Sequence, residues 1–166
     1  MKAIGCLMII LSTTLTGCYL SSVLKKRVKL FEELAMFSKN IATAIKYDGS
    51  DLSCLIENEN HHMKTPFTEK VTQYLHQTTD ISVSFRNALK DLSMNYGLSK
   101  EDKALILQFT AKLGVTDTDG QVSHCHYFQK VFSEKAEMFK QESLTKSKLY
   151  RSLGFFSGLT VAVILV

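Results

Sequence analysis

Two long uncharged stretches, one at each end of the chain, constrain this sequence more than any other feature. The first runs from Ala3 to Leu24 and the second from Leu153 to Val166. Cations border each on its inner side: Lys25, Lys26, Arg27 and Lys29 after the first, Lys146, Lys148 and Arg151 before the second. A helix crossing a bilayer needs about 20 apolar residues, since each adds ~1.5 Å across a hydrocarbon layer of ~30 Å. Ala3 to Leu24 meets that length. Leu153 to Val166 is short alone, and comes nearer when counted from Leu149 with Arg151 reaching out to the headgroups. The pattern predicts a membrane hairpin: an N-terminal transmembrane anchor over residues 1–24, a soluble domain over 25–150 and a C-terminal transmembrane anchor over 151–166. A buried core helix is the alternative for the last segment.

Cations in short flanks face the cytoplasm. The four after the first anchor outnumber Lys2 and the terminal amine before it, so residues 25–150 are expected in the cytoplasm and both termini across the membrane. A competing reading starts from Leu15-Thr16-Gly17-Cys18, which resembles a bacterial lipobox. Cleavage there would leave Cys18 as a lipidated N-terminus and export the domain. The Lys25-Lys26-Arg27 cluster would then lie on the translocated side, against the charge rule. Cys6, Cys18, Cys54 and Cys125 have no metal-binding spacing. In a cytoplasmic domain they are free thiols; in an exported one a Cys54–Cys125 bridge becomes possible.

The middle segment has the size of one domain. A single proline, Pro66, and the absence of period-two alternation argue for helices. The formal charge of +4, much of it beside the anchors, suits anionic headgroups better than nucleic acid. The expected fold class is all-α, a bundle of about six helices between the two anchors. Leu30, Leu34, Phe37, Ile41 and Ile45 form one stripe on a first helix that ends at Asp48-Gly49-Ser50, with Gly49 as C-cap and Ser50 as the next N-cap. A short helix follows over about Leu52 to Glu59, then a polar loop over Asn58 to Lys64. Thr65-Pro66 opens a third helix with Phe67, Val71, Tyr74 and Leu75 inward. A fourth runs from about Val83 to Tyr96 and closes at Gly97. Ser99 to Asp102 caps a fifth, which Gly114 ends. A sixth begins after Asp119 and continues into the second anchor.

Chemistry is poorly represented. The chain has no P-loop, no dinucleotide fingerprint, no H-E-x-x-H and no G-x-S-x-G. Asp117-Thr118-Asp119-Gly120 has the look of a calcium loop, but the register that suits Gly120 puts Val115 and His126 where carboxylates are needed. His124-Cys125-His126 cannot converge on one ion, because neighbouring helical side chains diverge by about 100°. His61 and His62 have no acidic cluster beside them. No nucleophile is visibly activated, so the expectation is a protein without catalysis, cofactor or metal that works by binding. Asp117, Asp119 and Gln121 are candidates for a docking or capping elbow, and Gly154 and Gly158 for close helix–helix contact in the membrane.

Several blocks together resemble the stage III sporulation protein AB family. They are Thr13-Thr14-x-Thr16-Gly17, Ile45-x-Tyr47-x-x-Ser50-x-Leu52, Leu113-Gly114, Asp117-x-Asp119-x-Gln121-x-x-His124, and Ser152-Leu153-Gly154-Phe155-x-x-Gly158-Leu159. The chain departs from the pattern at Asp51, where proline is expected, and at Cys18, where an apolar residue is. The resemblance implies a membrane protein of endospore formation, made in the mother cell and part of the secretion-like apparatus joining it to the engulfed forespore. It further implies a soluble domain similar to the cytoplasmic domain of the type II secretion and type IV pilus platform protein. The implied partners are a secretion-type ATPase, stage III sporulation protein AA, and other membrane components of the complex. Such a domain would face the mother-cell cytoplasm and couple the ATPase to the membrane.

Overall fold

The computed structural model describes the backbone of residues 2–48, 50–78 and 80–165, and the side chains of the same residues except 2–4, 6, 164 and 165. Six helices and no strand occur among them: α1 (Lys2–Tyr47), α2 (Leu52–Met63), α3 (Pro66–Leu75), α4 (Ile81–Leu92), α5 (Lys100–Thr110) and α6 (Thr118–Leu165). The fold class is all-α. Within α1, Leu7–Tyr47 is long and apolar enough to cross a membrane, and among the described residues no other helix meets that measure. A second anchor over 151–166 is therefore not shown on this ground.

The chain divides into two compact units, one of Met1–Val28 with Glu137–Val166 and one of Lys29–Ala136. The Lys29–Ala136 unit is built around phenylalanine. Phe31, Phe85, Phe109 and Phe132 are fully buried. The Phe109 ring centroid lies 5.6 Å from Phe132, 5.4 Å from Phe128 and 6.3 Å from Phe37, so α1, α5 and α6 share one aromatic centre. Phe37 continues to Phe85 and Phe85 to Phe67, which brings in α4 and α3. Edge-on and tilted pairs of this kind add about 0.5–1.5 kcal/mol each beyond area burial. Leu30, Leu34, Phe37 and Ile41 are buried as their spacing predicts, with Ile45 half-buried at the end of the stripe.

Local capping chemistry sets the boundaries. Thr65 caps α3: the Thr68 N–H donates to Thr65 Oγ1 at 3.2 Å and the Thr65 N–H to Thr68 Oγ1 at 3.1 Å, with Pro66 at the first helical position. Ser99 caps α5 in the same reciprocal way with Asp102, at 3.1 and 2.9 Å. Gly97 and Gly114 take φ of 58° and 77°, the left-handed region where a side chain costs energy.

Some boundaries differ from expectation. The N-cap of α2 is Asp51 rather than Ser50, whose hydroxyl donates to Asp48 Oδ1. Gly49, the expected C-cap of α1, lies outside the described residues. The polar run 58–64 is mostly helical: Asn58, His61 and His62 are exposed, while half-buried Glu59 accepts from Asn40 Nδ2 of α1 at 2.9 Å and Leu55 and Ile56 are buried. It ends at Lys64 in a left-handed conformation (φ 42°, ψ 52°) that sequence rules reserve for Gly or Asn. α4 starts at Ile81, capped by Asp80 accepting from the Val83 N–H at 3.1 Å, and stops at Leu92. Tyr74 is half-buried, its hydroxyl donating to Asp91 at 2.7 Å on the surface.

Candidate functional site

Two arrangements stand out, one in each unit. In the Lys29–Ala136 unit the connection from α5 to α6 forms a tightly bonded elbow. Leu113 is buried and Gly114 takes the positive φ that turns the chain. Gln121 then clamps the turn with both ends of its amide. Its Oε1 accepts from the Gly114 N–H at 3.0 Å and its Nε2 donates to Thr116 O at 2.8 Å. Asp117 caps α6, accepting from the Gly120 N–H at 3.3 Å through Oδ1. A Cβ at Gly120 would stand 2.6 Å from that same oxygen. Asp119 lies exposed in the first turn of α6, where a negative charge favours the helix dipole. Asp117 is thus the residue whose side chain bonds the first turn of α6. A polar notch of about 280 Å³ beside the elbow is lined by Ser50, Asp51, Leu52, Gly114, Thr118 and Gln121, with Ile45 and Leu55 beneath.

His124 belongs to the same device. Its Nε2–H donates to Phe109 O at 2.9 Å, one of the last carbonyls of α5 that have no partner within the helix. The carbonyl can only accept, which fixes the ring tautomer. The imidazole stacks on the Phe109 ring at 5.9 Å, tilted by 8°. Its neighbours go elsewhere. Cys125 is fully buried, and burial pushes its thiol up to about 12, which makes it unreactive. His126 is exposed and meets Gln129 at 3.3 Å. Among the described residues no three His, Cys, Asp or Glu gather as a metal site, and Cys18, Cys54 and Cys125 are free thiols.

In the other unit the first part of α1 and the last part of α6 pair antiparallel at very close range. A Cβ placed on Gly17 would meet Tyr150 O at 2.5 Å, and one on Gly154 would meet Thr13 O at 2.7 Å and Gly17 Cα at 3.2 Å. A Cβ on Gly158 would meet Ile10 Cα at 2.9 Å and collide with the Thr13 hydroxyl. One turn further along, the buried hydroxyls of Ser21 and Ser147 lie 2.8 Å apart, and Arg151 Nε–H donates to Ser21 Oγ at 3.2 Å. Further still, the Arg27 guanidinium stands 3.8 Å above the Phe139 ring. The contacts climb α1 as they descend α6, from Ile10 with Gly158 to Arg27 with Phe139, an antiparallel pairing. The partner of Gly154 and Gly158 is thus this chain's own first segment. Sequence reasoning missed Gly17, Ser21 and Ser147; the signal was small residues at four-residue spacing, at 13, 17 and 21.

The pair is inverted relative to a water-soluble core. Its inner positions carry Gly17, Ser21, Ser143, Ser147 and Gly158, while Leu7, Met8, Leu15, Phe156 and Val163 are exposed.

The sequence profile of the family described as Stage III sporulation protein AB matches residues 2–166. The chain is also similar to the Stage III sporulation protein AB of Bacillus subtilis (strain 168), 22% identical over 170 residues covering 100% of this chain and 99% of that protein. No solved structure matches.

Proposed function

Because the chain belongs to the stage III sporulation protein AB family, we propose that it serves endospore formation as a non-enzymatic membrane component of the apparatus between mother cell and forespore. The whole-chain family match supports the role in sporulation. The inverted pairing of α1 and α6 supports the membrane: small and hydroxyl residues let two helix backbones approach, and lipid covers the leucines and phenylalanines outside. In this reading the last residues of α6, too short alone, are held in the bilayer by their contact with α1. The lysines and arginines at 25–29 and 146–151 support an orientation with the domain between the anchors in the mother-cell cytoplasm.

The domain is a platform that couples a secretion-type ATPase, stage III sporulation protein AA, to the membrane complex. The observation that carries this reading is the continuity of α6: one helix begins at the Gln121 clamp and ends among the glycines that face α1. Asp117 and Asp119, at its exposed start, are the residues on which the ATPase would dock. Co-purification of the ATPase with the full-length membrane protein tests this. Loss of the ATPase on Asp119→Ala with the fold intact and still cooperatively unfolding supports docking at the elbow. Retention of the ATPase by both Asp117→Ala and Asp119→Ala leaves those residues as structural only.

The lipoprotein alternative fares worse. Cleavage before Cys18 would remove Ile10, Thr13 and Gly17, against which Gly154 and Gly158 are packed.

A further inference from the structure

Lys25 on α1 and Lys148 and Arg151 on α6 are exposed cations of the α1–α6 pair, set in stretches of sequence without a carboxylate. Lys25 follows Ser21 by four residues and Lys148 precedes Arg151 by three, spacings that put side chains on one helix face. Ser21 and Arg151 are hydrogen-bonded to each other, which brings the two faces together. All three cations are exposed. No Asp or Glu occurs in residues 3–31 or 143–166, and Glu142, just beyond, is taken by Lys146 at 2.5 Å. The Arg151 guanidinium is also held in place. Its Nε–H is spent on Ser21, whose hydroxyl is pinned by Ser147, and four of its five N–H donors lie on the terminal amino groups. Tyr19, exposed, and Tyr150, half-buried, flank this level as aromatic residues do at a membrane interface.

We infer that Lys25, Lys148 and Arg151 form a headgroup site for the phosphate of an anionic phospholipid at the cytoplasmic boundary of the hairpin. The inference rests on the hairpin reading of the two apolar segments. The charge is what the lipid complements: three cations at the edge of an apolar layer, in sequence stretches without a carboxylate, and a planar guanidinium suited to two phosphate oxygens.

The test uses the full chain reconstituted in nanodiscs of phosphatidylcholine alone and of phosphatidylcholine with phosphatidylglycerol. Native mass spectrometry then counts the lipids that stay bound. The native protein is expected to retain phosphatidylglycerol over phosphatidylcholine, with the preference falling roughly fivefold for each of Lys25→Gln, Lys148→Gln and Arg151→Gln. Lys112→Gln, the same charge change in the other unit, is expected to leave it unchanged. Equal retention of the two lipids, or an equal loss in Lys112→Gln, overturns the site while leaving the hairpin standing. Failure of the protein to enter phosphatidylcholine nanodiscs overturns the hairpin and the site together.

Discussion

The hydroxyl of Ser21 lies 2.8 Å from that of Ser147, although 126 residues separate them. Both are buried, so each satisfies a group that would otherwise sit dry between two helices. The contact is possible because Gly17, one turn from Ser21, and Gly154, two turns from Ser147, let the backbones come close.

Gly154→Leu is therefore expected to break the pairing. The new Cβ would meet the backbone at Thr13 and Gly17, which cannot give way locally. Overpacking of this kind costs about 1–3 kcal/mol. A disulfide between Ser21→Cys and Ser147→Cys, in a chain with its native cysteines replaced, reports the pairing in membranes. It should form in the parent and be lost on adding Gly154→Leu. Gly5→Ala, whose Cβ meets nothing within 4 Å, should leave it intact.

Gln121→Ala should destabilise the domain more than either neighbouring acid does. It removes two hydrogen bonds that close the turn, about 0.5–1.5 kcal/mol each. Asp117→Ala removes a helix cap, at about 1 kcal/mol. Asp119→Ala removes a charge from the first turn, at about 0.3–1 kcal/mol. Urea unfolding of the full chain in a mild non-ionic detergent gives the order. A larger loss at Asp119 than at Gln121 would refute the clamp.

Lys64→Gly should stabilise the domain. A side chain in the left-handed region costs about 1–2 kcal/mol, and glycine recovers most of it while adding some entropy to the unfolded chain. The expected gain is about 0.5–1 kcal/mol, read as a higher urea midpoint. Lys64→Ala keeps the strain and should gain nothing.

Glu33 should make stability fall as pH rises. Burial raises its carboxyl above the usual 4.5, against Lys29 and a hydrogen bond with Thr65, both of which lower it. The folded state thus holds this proton more tightly than the unfolded chain does. Its contribution is full below the unfolded value of 4.5 and is lost as pH climbs through the raised folded value. Glu33→Gln should raise the urea midpoint near neutral pH, with the advantage shrinking on acidification. An advantage that grows in acid would contradict this.

Much of the bundle was legible because its signals are local. Thr65-Pro66, Ser99 with Asp102, Gly97 and Gly114 act within one turn, and the Leu30–Ile41 stripe needs only helical period. The misses have physical causes. Residues 58–64 read as a loop because their polarity reflects an exposed face, and Lys64 ends the helix in a conformation that lysine rarely takes. For the candidate sites, the elbow was visible as a block of residues but not as a clamp, since Gln121 bonds backward over five to seven residues. The glycines at 154 and 158 were legible as a contact face; that they meet Gly17 and Thr13 depends on a register between distant segments that no local rule supplies.

The most direct measurement is an in-frame deletion in the source organism, scored by a late forespore transcription reporter and by heat-resistant spore counts. The account predicts that engulfment finishes, the reporter stays silent and heat-resistant spores fail to form, with the native gene restoring them. Normal reporter activity and normal spore counts in the deletion would contradict a role in this apparatus.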